Sequence, residues 1–209
     1  MSTDDPNLSK VYAAKNAYAS REAYDEWASS YDAFNLSKGY RIPEIACAMI
    51  ARHIGVDADP ILEAGCGTGV FGQSLTDLGY QHLIGVDLSP QMLRQAKQRF
   101  VYQRLYEHDL GQSLPEQDDS FSAVLCFGSL GPGHAPASCL DEFVRVTRAG
   151  GHIVFNTRAE TYPKQDLRHK VDSLSEAGLW TAVDQSSAFR TFHLTEPELT
   201  SQVFVFKVC

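Results

Sequence analysis

ILEAGCGTGVFG, residues 61–72, is the stretch that decides the fold. Its apolar run ends in an acid and a cluster of glycines before helical periodicity resumes, which predicts a strand, a tight turn and the start of a helix. The glycines at positions 65, 67 and 69 permit positive φ angles and carry no Cβ atom, so the backbone of the turn can lie against a ligand. The N–H groups of the turn and of the helix start would point at that ligand. The stretch therefore predicts a binding site for a flat, polar ligand.

Two kinds of ligand fit such a turn. Residues 67–72 satisfy the G-x-G-x-x-G pattern of dinucleotide-binding proteins, and Asp87 follows at the distance expected of a ribose-binding acid. Glu63 extends the pattern to E-x-G-x-G-x-G, which resembles motif I of the class I S-adenosylmethionine-dependent methyltransferases. The resemblance implies that Glu63 organises the turn and that the turn lies beside the methionine part and the ribose of the cofactor, with Ala64, Gly65, Cys66 and Gly67 as binding residues.

A second signature lies downstream, where HLIGVDL, residues 82–88, predicts a strand that ends in an acid, followed by a helix that starts at Ser89. The carboxylate of Asp87 can accept hydrogen bonds from both hydroxyls of a ribose. The stretch resembles the family's ribose-binding segment, which implies that Leu88 and Met92 flank the adenine. The alternatives are a solvated turn acid at Glu63, a helix cap at Asp87 and a core position at Met92.

The next two predicted strands end in further candidate residues. Residues 104–110 predict a short strand ending in an acid. The resemblance implies that Asp109 and Leu110 face adenine, although Asp109 could also be a plain turn acid. Residues 121–127 predict a buried parallel strand, and open α/β sheets bind their ligands at the carboxyl ends of such strands. We therefore expect Phe127 and Gly128 at the cofactor site.

The loop after this strand carries a candidate catalytic residue. His134 could deprotonate a hydroxyl or amine of a substrate, because imidazole titrates near neutral pH. A histidine in a loop rich in glycine and proline can also be simply exposed. The loop lacks the Asn/Asp-Pro-Pro-aromatic motif by which many methyltransferases hold amide or exocyclic nitrogens, so such substrates are less favoured.

Helices are predicted before the turn. Residues 8–34 place aromatic side chains on one helical face, and core packing explains this stripe. The resemblance implies instead an N-terminal helical lid, residues 1–55, with Tyr31 near the methionine end of the cofactor. Arg41, at the start of the next helix, could pair with the cofactor's carboxylate or remain exposed.

Strands and helices alternate up to position 158, and two β-rich runs, 180–192 and 201–209, close the chain. This order predicts an α/β protein with a doubly wound, seven-stranded Rossmann-like sheet, one antiparallel strand and helices on both faces. Residues 56–209 would form the methyltransferase core, and together with the lid they would make one domain.

The chain is also similar, over nearly its whole length, to the Williams–Beuren syndrome region methyltransferase-like proteins. The similarity includes residues 24–27, 40–41, 156–158 and 172–180. The cofactor motifs imply transfer of a methyl group from S-adenosyl-L-methionine to an O, N, S or C nucleophile, with S-adenosyl-L-homocysteine as product. This similarity leaves the acceptor open, and the negative net charge favours a small molecule. Two alternatives remain: a protein that cyclises, cleaves or senses S-adenosylmethionine, and an NAD-dependent oxidoreductase, for which a second half-site is not visible.

Composition narrows the range of partners. The chain has 209 residues, is 44% hydrophobic and carries a formal net charge of −8, so it offers no basic field for nucleic acid. We expect a small-molecule acceptor, no nucleic acid, no membrane, and a monomer or homodimer. Five widely spaced cysteines without a C-x-x-C pair indicate reduced thiols in the cytoplasm and no metal site.

Overall fold

An eight-stranded sheet forms the centre of the protein in a computed structural model, which describes residues 6–14, 16–131, 133–160, 162 and 166–209. The strands are β1 (Ile61–Ala64), β2 (Leu83–Asp87), β3 (Tyr102–Glu107), β4 (Phe121–Cys126), β5 (Thr147–Arg158), β6 (Trp180–Gln185), β7 (Phe189–Arg190) and β8 (Thr200–Val208). The helices are α1 (Pro6–Ala13), α2 (Ala17–Trp27), α3 (Tyr31–Lys38), α4 (Ile42–His53), α5 (Val70–Asp77), α6 (Pro90–Lys97), α7 (Cys139–Val146) and α8 (Asp166–Glu176).

The strand order is β3-β2-β1-β4-β5-β8-β6, with β7 paired to β8. Strands β1 to β5 pair in parallel, whereas β8 is antiparallel to β5, β6 and β7. The predicted doubly wound sheet of seven strands with one antiparallel strand is therefore confirmed, and the two-residue β7 is an addition to it. The predicted run 180–192 divides into β6 and β7 at Ser186, whose hydroxyl accepts the N–H of Val203 at 3.0 Å.

Helices cover both faces of the sheet, as predicted. On one face, α7 and α8 contribute buried residues such as Phe143 and Leu174. On the other face, α4 and α5 contribute Ile50 and Leu75. Because successive residues of a strand point to opposite faces, Leu62 and Ala64 of β1 belong to the first cluster and Ile61 belongs to the second. None of the helices within the described ranges is long and apolar enough to cross a membrane.

The N-terminal segment forms three helices where the sequence predicted one continuous helical stretch. Asn16 caps α2 by accepting the N–H of Ala19 at 2.9 Å, which separates α2 from α1. Gly39 ends α3 in the left-handed conformation, with φ of +67°. Trp27 is 2% exposed and packs with Phe192 and Leu199, which come from loops near the carboxyl edge of the sheet. The aromatic stripe is therefore core at Trp27.

Glu63 is a buried acid in β1, directly before the glycine turn. It is 3% exposed, so the alternative of a solvated turn acid is wrong. Its Oε2 accepts the hydroxyl of Tyr102 at 2.7 Å. A Cβ on Gly72 would lie 2.2 Å from that hydroxyl, so the glycine lets α5 pack closely over the pair. Burial, together with the nearby charge of Asp87, raises the pKa of Glu63 to about 8, although the Tyr102 hydrogen bond opposes this shift.

This raised pKa predicts a specific pH dependence of stability. In the unfolded chain the carboxyl loses its proton near its ordinary pKa of 4.5, whereas the native state keeps the proton up to about pH 8. Because the native state then binds more protons, this group lowers the free energy of unfolding as pH rises between those values, by at most about 1.4 kcal/mol per pH unit. Glu63→Gln should remove this loss, so that between pH 5.5 and 7.5 the variant gains on the order of 2 kcal/mol relative to wild type.

Urea denaturation at the two pH values measures this difference, since all other titrating groups are shared. Tyr102→Phe is the control, because it removes a hydrogen bond that favours the ionised carboxyl and so preserves the pH-dependent loss. Parallel stability profiles for Glu63→Gln and wild type would show that the native Glu63 is ionised throughout the range.

Candidate active site

The glycine turn after β1 is tied to the end of β2. The N–H groups of Gly65 and Cys66 both donate to the carbonyl of Val86, at 2.8 and 2.9 Å. The N–H of Gly67 donates to Oδ2 of Asp87 at 2.8 Å. Gly65 and Gly67 have φ angles of +78° and +54°, in the region that favours glycine. Because glycine adopts positive φ angles at little cost in free energy, the sequence favours the observed conformation of the turn.

The two sides of this turn have different surroundings. A Cβ on Gly65 would lie 2.1 Å from Oγ of Ser129, so the backbone there is packed against the loop after β4. A Cβ on Gly67 would have nothing within 4 Å. The backbone at Gly67 therefore faces open space, where a ligand can approach it closely.

Asp87 ends β2 beside this opening. Its Oδ2 accepts the N–H of Gly67, and its Oδ1 accepts the N–H of Ser89 at 2.8 Å. Burial raises the pKa of Asp87 to about 6, while the backbone hydrogen bonds from Ser89 and Gly67 limit the rise. The carboxylate is therefore mostly ionised at pH 7. Ser89 is the cap of α6, so Asp87 supports the cap residue and does not itself cap the helix.

Three adjoining cavities lie at the carboxyl edge of the sheet. We name them the central cavity, around Gly67 and Asp87, the turn cavity, beside Glu63 and Phe71, and the aromatic cavity, around Trp27 and Phe192. Their empty volumes, which include space open to solvent, are about 730, 1150 and 940 Å³ respectively. Tyr31 lines all three, so the cavities adjoin at this residue.

Most of the predicted site residues meet in the central cavity. Its lining includes Tyr31, Gly65, Gly67, Asp87, Leu88, Met92, Asp109, Leu110, Phe127, Gly128 and His134. Met92 is 2% exposed, so it is both a core residue and part of the wall. Asp109 lies two residues beyond β3 in a turn, where its Oδ1 accepts the N–H of Gly111 at 2.8 Å, so the strand ends earlier than predicted.

The remaining predicted residues lie elsewhere. Glu63 and Cys66 line the turn cavity. Ala64 is fully buried inside the sheet. Arg41 is not among the described residues that line any of the three cavities, and its Nε lies 3.5 Å from Glu44 at the start of α4. The pairing of Arg41 with a cofactor carboxylate therefore stays a prediction; in the structure the guanidinium lies near Glu44, three residues ahead.

His134 lies between the central and aromatic cavities and lines both. Its Nε2 is 2.7 Å from the hydroxyl of Tyr24, and the two rings meet edge to face with centroids 5.8 Å apart. The residue is half-buried, so it is not the freely exposed loop histidine that was the alternative. This placement gives an imidazole at the point where two cavities join.

Two acids of the N-terminal helices form contacts that were not predicted from the sequence. Asp25 of α2 accepts the hydroxyl of Ser89 at 2.5 Å. Asp32 of α3 accepts the hydroxyl of Thr68 at 2.5 Å and also pairs with Arg99. No local signal was present, because each hydrogen bond joins a helix to a distant loop, Asp25 to Ser89 and Asp32 to Thr68. Their hydrogen bonds connect the N-terminal helices to both loops of the central cavity.

The residues of the site offer oxygen and nitrogen donors for an organic ligand. Among the residues that the structure describes, no group of three or more His, Cys, Asp or Glu side chains could hold a metal ion. The cysteines are free thiols, and four of the five are buried. An ionised carboxylate, an open glycine backbone and apolar walls suit a nucleoside.

Comparisons with known proteins agree with this geometry. A family model described as a methyltransferase domain matches residues 61–151. Human methyltransferase-like protein 27 is 37% identical over 163 residues, which cover 75% of this chain and 66% of that protein. The malonyl acyl-carrier-protein O-methyltransferase of Yersinia pestis is 35% identical over 167 residues, which cover 78% of this chain and 55% of that enzyme. The chain thus spans less than two thirds of the length of either relative.

A solved structure shows the same fold. The magnesium protoporphyrin IX methyltransferase of Synechocystis PCC 6803, with bound S-adenosylhomocysteine, superposes with a TM-score of 0.68 at 13% identity, over 92% of this chain and 99% of that one. The narrower resemblance to the Williams–Beuren region proteins fits the similarity to methyltransferase-like protein 27. From the glycine turn, the acid at the end of β2, the sheet topology and these similarities, we conclude that the chain belongs to the class I S-adenosylmethionine-dependent methyltransferases.

Proposed function

We propose that this protein transfers a methyl group from S-adenosylmethionine to a nucleophile of a small molecule, leaving S-adenosylhomocysteine. The observation that carries the proposal is the open backbone at Gly67 beside the ionised carboxylate of Asp87. The Asp87 carboxylate can accept hydrogen bonds from the two ribose hydroxyls of a nucleoside, and the backbone of Gly67, which carries no Cβ, allows the nucleoside to lie close to the turn.

The lining of the central cavity fits the rest of the cofactor. Leu88, Met92 and Leu110 supply apolar surface for the adenine ring, and Asp109 supplies an acceptor near it. The half-buried phenol ring of Tyr31, where the cavities meet, can favour a cationic sulfur. Three buried residues would stabilise the turn without lining the central cavity: Glu63, which accepts the hydroxyl of Tyr102, Ala64 and Cys66.

The bound cofactor would supply a methyl group activated by positively charged sulfur. The acceptor's nucleophile would bond to the methyl carbon while the carbon–sulfur bond breaks, leaving S-adenosylhomocysteine. The protein's own contribution is to hold the acceptor close and in line, which can be worth about 7–11 kcal/mol. Because Tyr31 lines both cavities, an acceptor in the aromatic cavity would lie next to the central cavity. His134, at the same junction, can take the proton of a hydroxyl or amine acceptor, and Tyr24 holds its Nε2 in place.

Charge and composition support a small acceptor over nucleic acid. The formal net charge of −8 would repel a phosphate backbone. The five free cysteines favour a reducing compartment, the cytoplasm. The similarities to methyltransferases favour methyl transfer over cyclisation, cleavage or sensing of the cofactor and over nicotinamide chemistry.

Calorimetric titration with S-adenosylhomocysteine tests the proposed site. Asp87→Asn should weaken binding by about 10- to 100-fold, because one acceptor oxygen becomes an amide donor facing the N–H groups that now donate to Asp87. Asp77→Asn, on the exposed surface of α5, is the matched control and should bind like wild type. Binding of NAD without S-adenosylmethionine or S-adenosylhomocysteine would overturn the assignment. Methylthioadenosine as the product, in place of S-adenosylhomocysteine, would indicate cleavage of the cofactor.

We also propose that α1, α2 and α3 form the lid. The buried residues of α4, such as Ile50, belong to the core on one face of the sheet, so the lid is shorter than the 1–55 expected from the sequence. Asp25 and Asp32 close the lid onto Ser89 and Thr68, next to the proposed cofactor. Opening the lid would break these contacts and uncover Trp27, so a nucleoside bound beneath the lid should add to the free energy of opening.

Limited trypsin digestion tests the lid. Saturating S-adenosylhomocysteine should slow cleavage at Lys10, Arg21 and Lys38, because the bound nucleoside favours the closed state. Cleavage at Lys170 in α8, remote from the cavities, provides the internal control and should keep its rate. Equal rates at the lid sites with and without the nucleoside would rule the lid out.

A third prediction concerns His134. For hydroxyl acceptors, His134→Gln should lower the rate of methyl transfer by about 10²- to 10⁴-fold, since the acceptor's proton loses its base. The affinity for S-adenosylhomocysteine should stay within a few fold of wild type. His169→Gln, exposed on α8, is the control. An unchanged rate in the His134 variant would remove the residue from the mechanism.

A further inference from the structure

The side-chain amide of Asn156, near the end of β5, has a fixed orientation. Its Oδ1 accepts the N–H of Gly128 at 2.7 Å. Because a backbone N–H can only donate, this contact determines which end of the amide is the oxygen. The other end is Nδ2, which carries two N–H donors.

Nδ2 is available to a ligand. Within the ranges that the structure describes, it has no hydrogen-bond partner. Asn156 is 5% exposed and lines the aromatic cavity, yet Nδ2 does not belong to the unpaired polar atoms of the described residues that are sealed from solvent. The cavity wall thus presents a neutral donor, and a ligand that excludes water from it must offer an acceptor atom or leave it unpaired.

This donor lies beside the junction of the aromatic and central cavities, which is formed by the residues that line both. Gly128, which is bonded to Asn156, is one of these residues, and His134 is another. An acceptor in the aromatic cavity reaches the proposed cofactor only across this junction. Its reactive atom therefore comes close to the amide of Asn156 and to the imidazole of His134.

A hydrogen-bond donor at this position discriminates among nucleophiles. A hydroxyl oxygen has two lone pairs, so it can attack the methyl carbon with one and accept an N–H of Asn156 with the other. An amine nitrogen has one lone pair, which the attack uses, and its own N–H groups would face those of Asn156. Sulfur accepts hydrogen bonds only weakly. Sites that hydrogen-bond a substrate group reject analogues without it, because polar groups of the site are then left unpaired.

We propose that the methyl acceptor attacks through the oxygen of a hydroxyl group, to which Nδ2 of Asn156 donates a hydrogen bond. A lone pair of this oxygen forms the new oxygen–carbon bond, the carbon–sulfur bond breaks with its electron pair going to sulfur, and the hydroxyl proton passes to His134. This inference rests on the proposed function and deepens it by naming the nucleophile.

Calorimetry at pH 7.5 with saturating S-adenosylhomocysteine measures the preference for oxygen without requiring turnover. The probes are three phenols, 4-propylphenol, 5-indanol and 4-benzylphenol, each with the aniline of the same shape, and all are neutral at this pH. We expect wild type to bind at least one phenol about tenfold or more tightly than its aniline. Asn156→Leu should abolish this preference. Gln103→Leu, which removes an exposed amide on β3, is the control and should preserve it.

Nuclear magnetic resonance of the side-chain amides separates direct contact from the support that Asn156 gives to Gly128. The chain has four asparagines, at positions 7, 16, 35 and 156, so nitrogen-15 labelling of asparagine yields four amide signals. The signal absent from Asn156→Leu belongs to Nδ2 of Asn156. The preferred phenol should move one of its protons downfield, as a new hydrogen bond requires, whereas the matching aniline should not.

The outcomes distinguish the two proposals. If S-adenosylhomocysteine does not bind wild type, the proposed function fails. If it binds but no phenol is preferred over its aniline, or no probe binds, the function stands and the oxygen nucleophile is overturned. An unmoved Nδ2 signal, or a preference that persists in a folded Asn156→Leu variant, would overturn the role of Asn156. If that variant does not fold, substituting the other three asparagines in turn assigns the signal, and its response to the phenol in wild type decides the question.

Discussion

The site depends on one carboxylate, that of Asp87, which holds two loops at once. One oxygen accepts the N–H of Gly67 and the other accepts the N–H of Ser89. Without these acceptors, two backbone donors next to a cavity would lack their partners, at a cost of about 1–3 kcal/mol each where water is excluded. Because the same interaction sets the glycine turn and the start of α6, a change at Asp87 alters both walls of the central cavity.

Two acids at neighbouring strand ends have different roles because their environments differ. Glu63 is deeply buried, accepts a hydrogen bond from Tyr102, and has its pKa raised to about 8, so at pH 7 it is mostly neutral. Asp87 is also raised, to about 6, but backbone N–H groups favour its ionised form. A neutral acid under the turn and an ionised acid beside it avoid two adjacent buried charges. This arrangement leaves the negative charge where ribose hydroxyls would meet it.

The parts of the site that the sequence predicted are those encoded by local patterns. The glycine turn and Asp87 follow from residues within one strand–turn–helix unit, where φ angles and caps are set by near neighbours. The contacts of Asp25 and Asp32 join residues 64 and 36 positions apart, so no local pattern specifies them. The pairing of Arg41 with a cofactor carboxylate stays a prediction, because the structure shows its contact with Glu44 and the pairing depends on a bound ligand. The fold was predicted almost completely, since alternation and burial determine a doubly wound sheet.

The central cavity and the aromatic cavity are formed by partly different elements of the fold. The central cavity is lined by α2, α3 and the loops after β1 to β4, whereas the aromatic cavity adds residues of α1 and of the ends of β5 and β8. One connection between them is Asn156, whose Oδ1 accepts the N–H of Gly128 at 2.7 Å. Asn156 and Arg158 are two residues apart in β5 and so share a face of the strand. The strand that holds the rim of the central cavity therefore also contributes Arg158 to the wall of the aromatic cavity, so the sheet sets the relative positions of the two cavities.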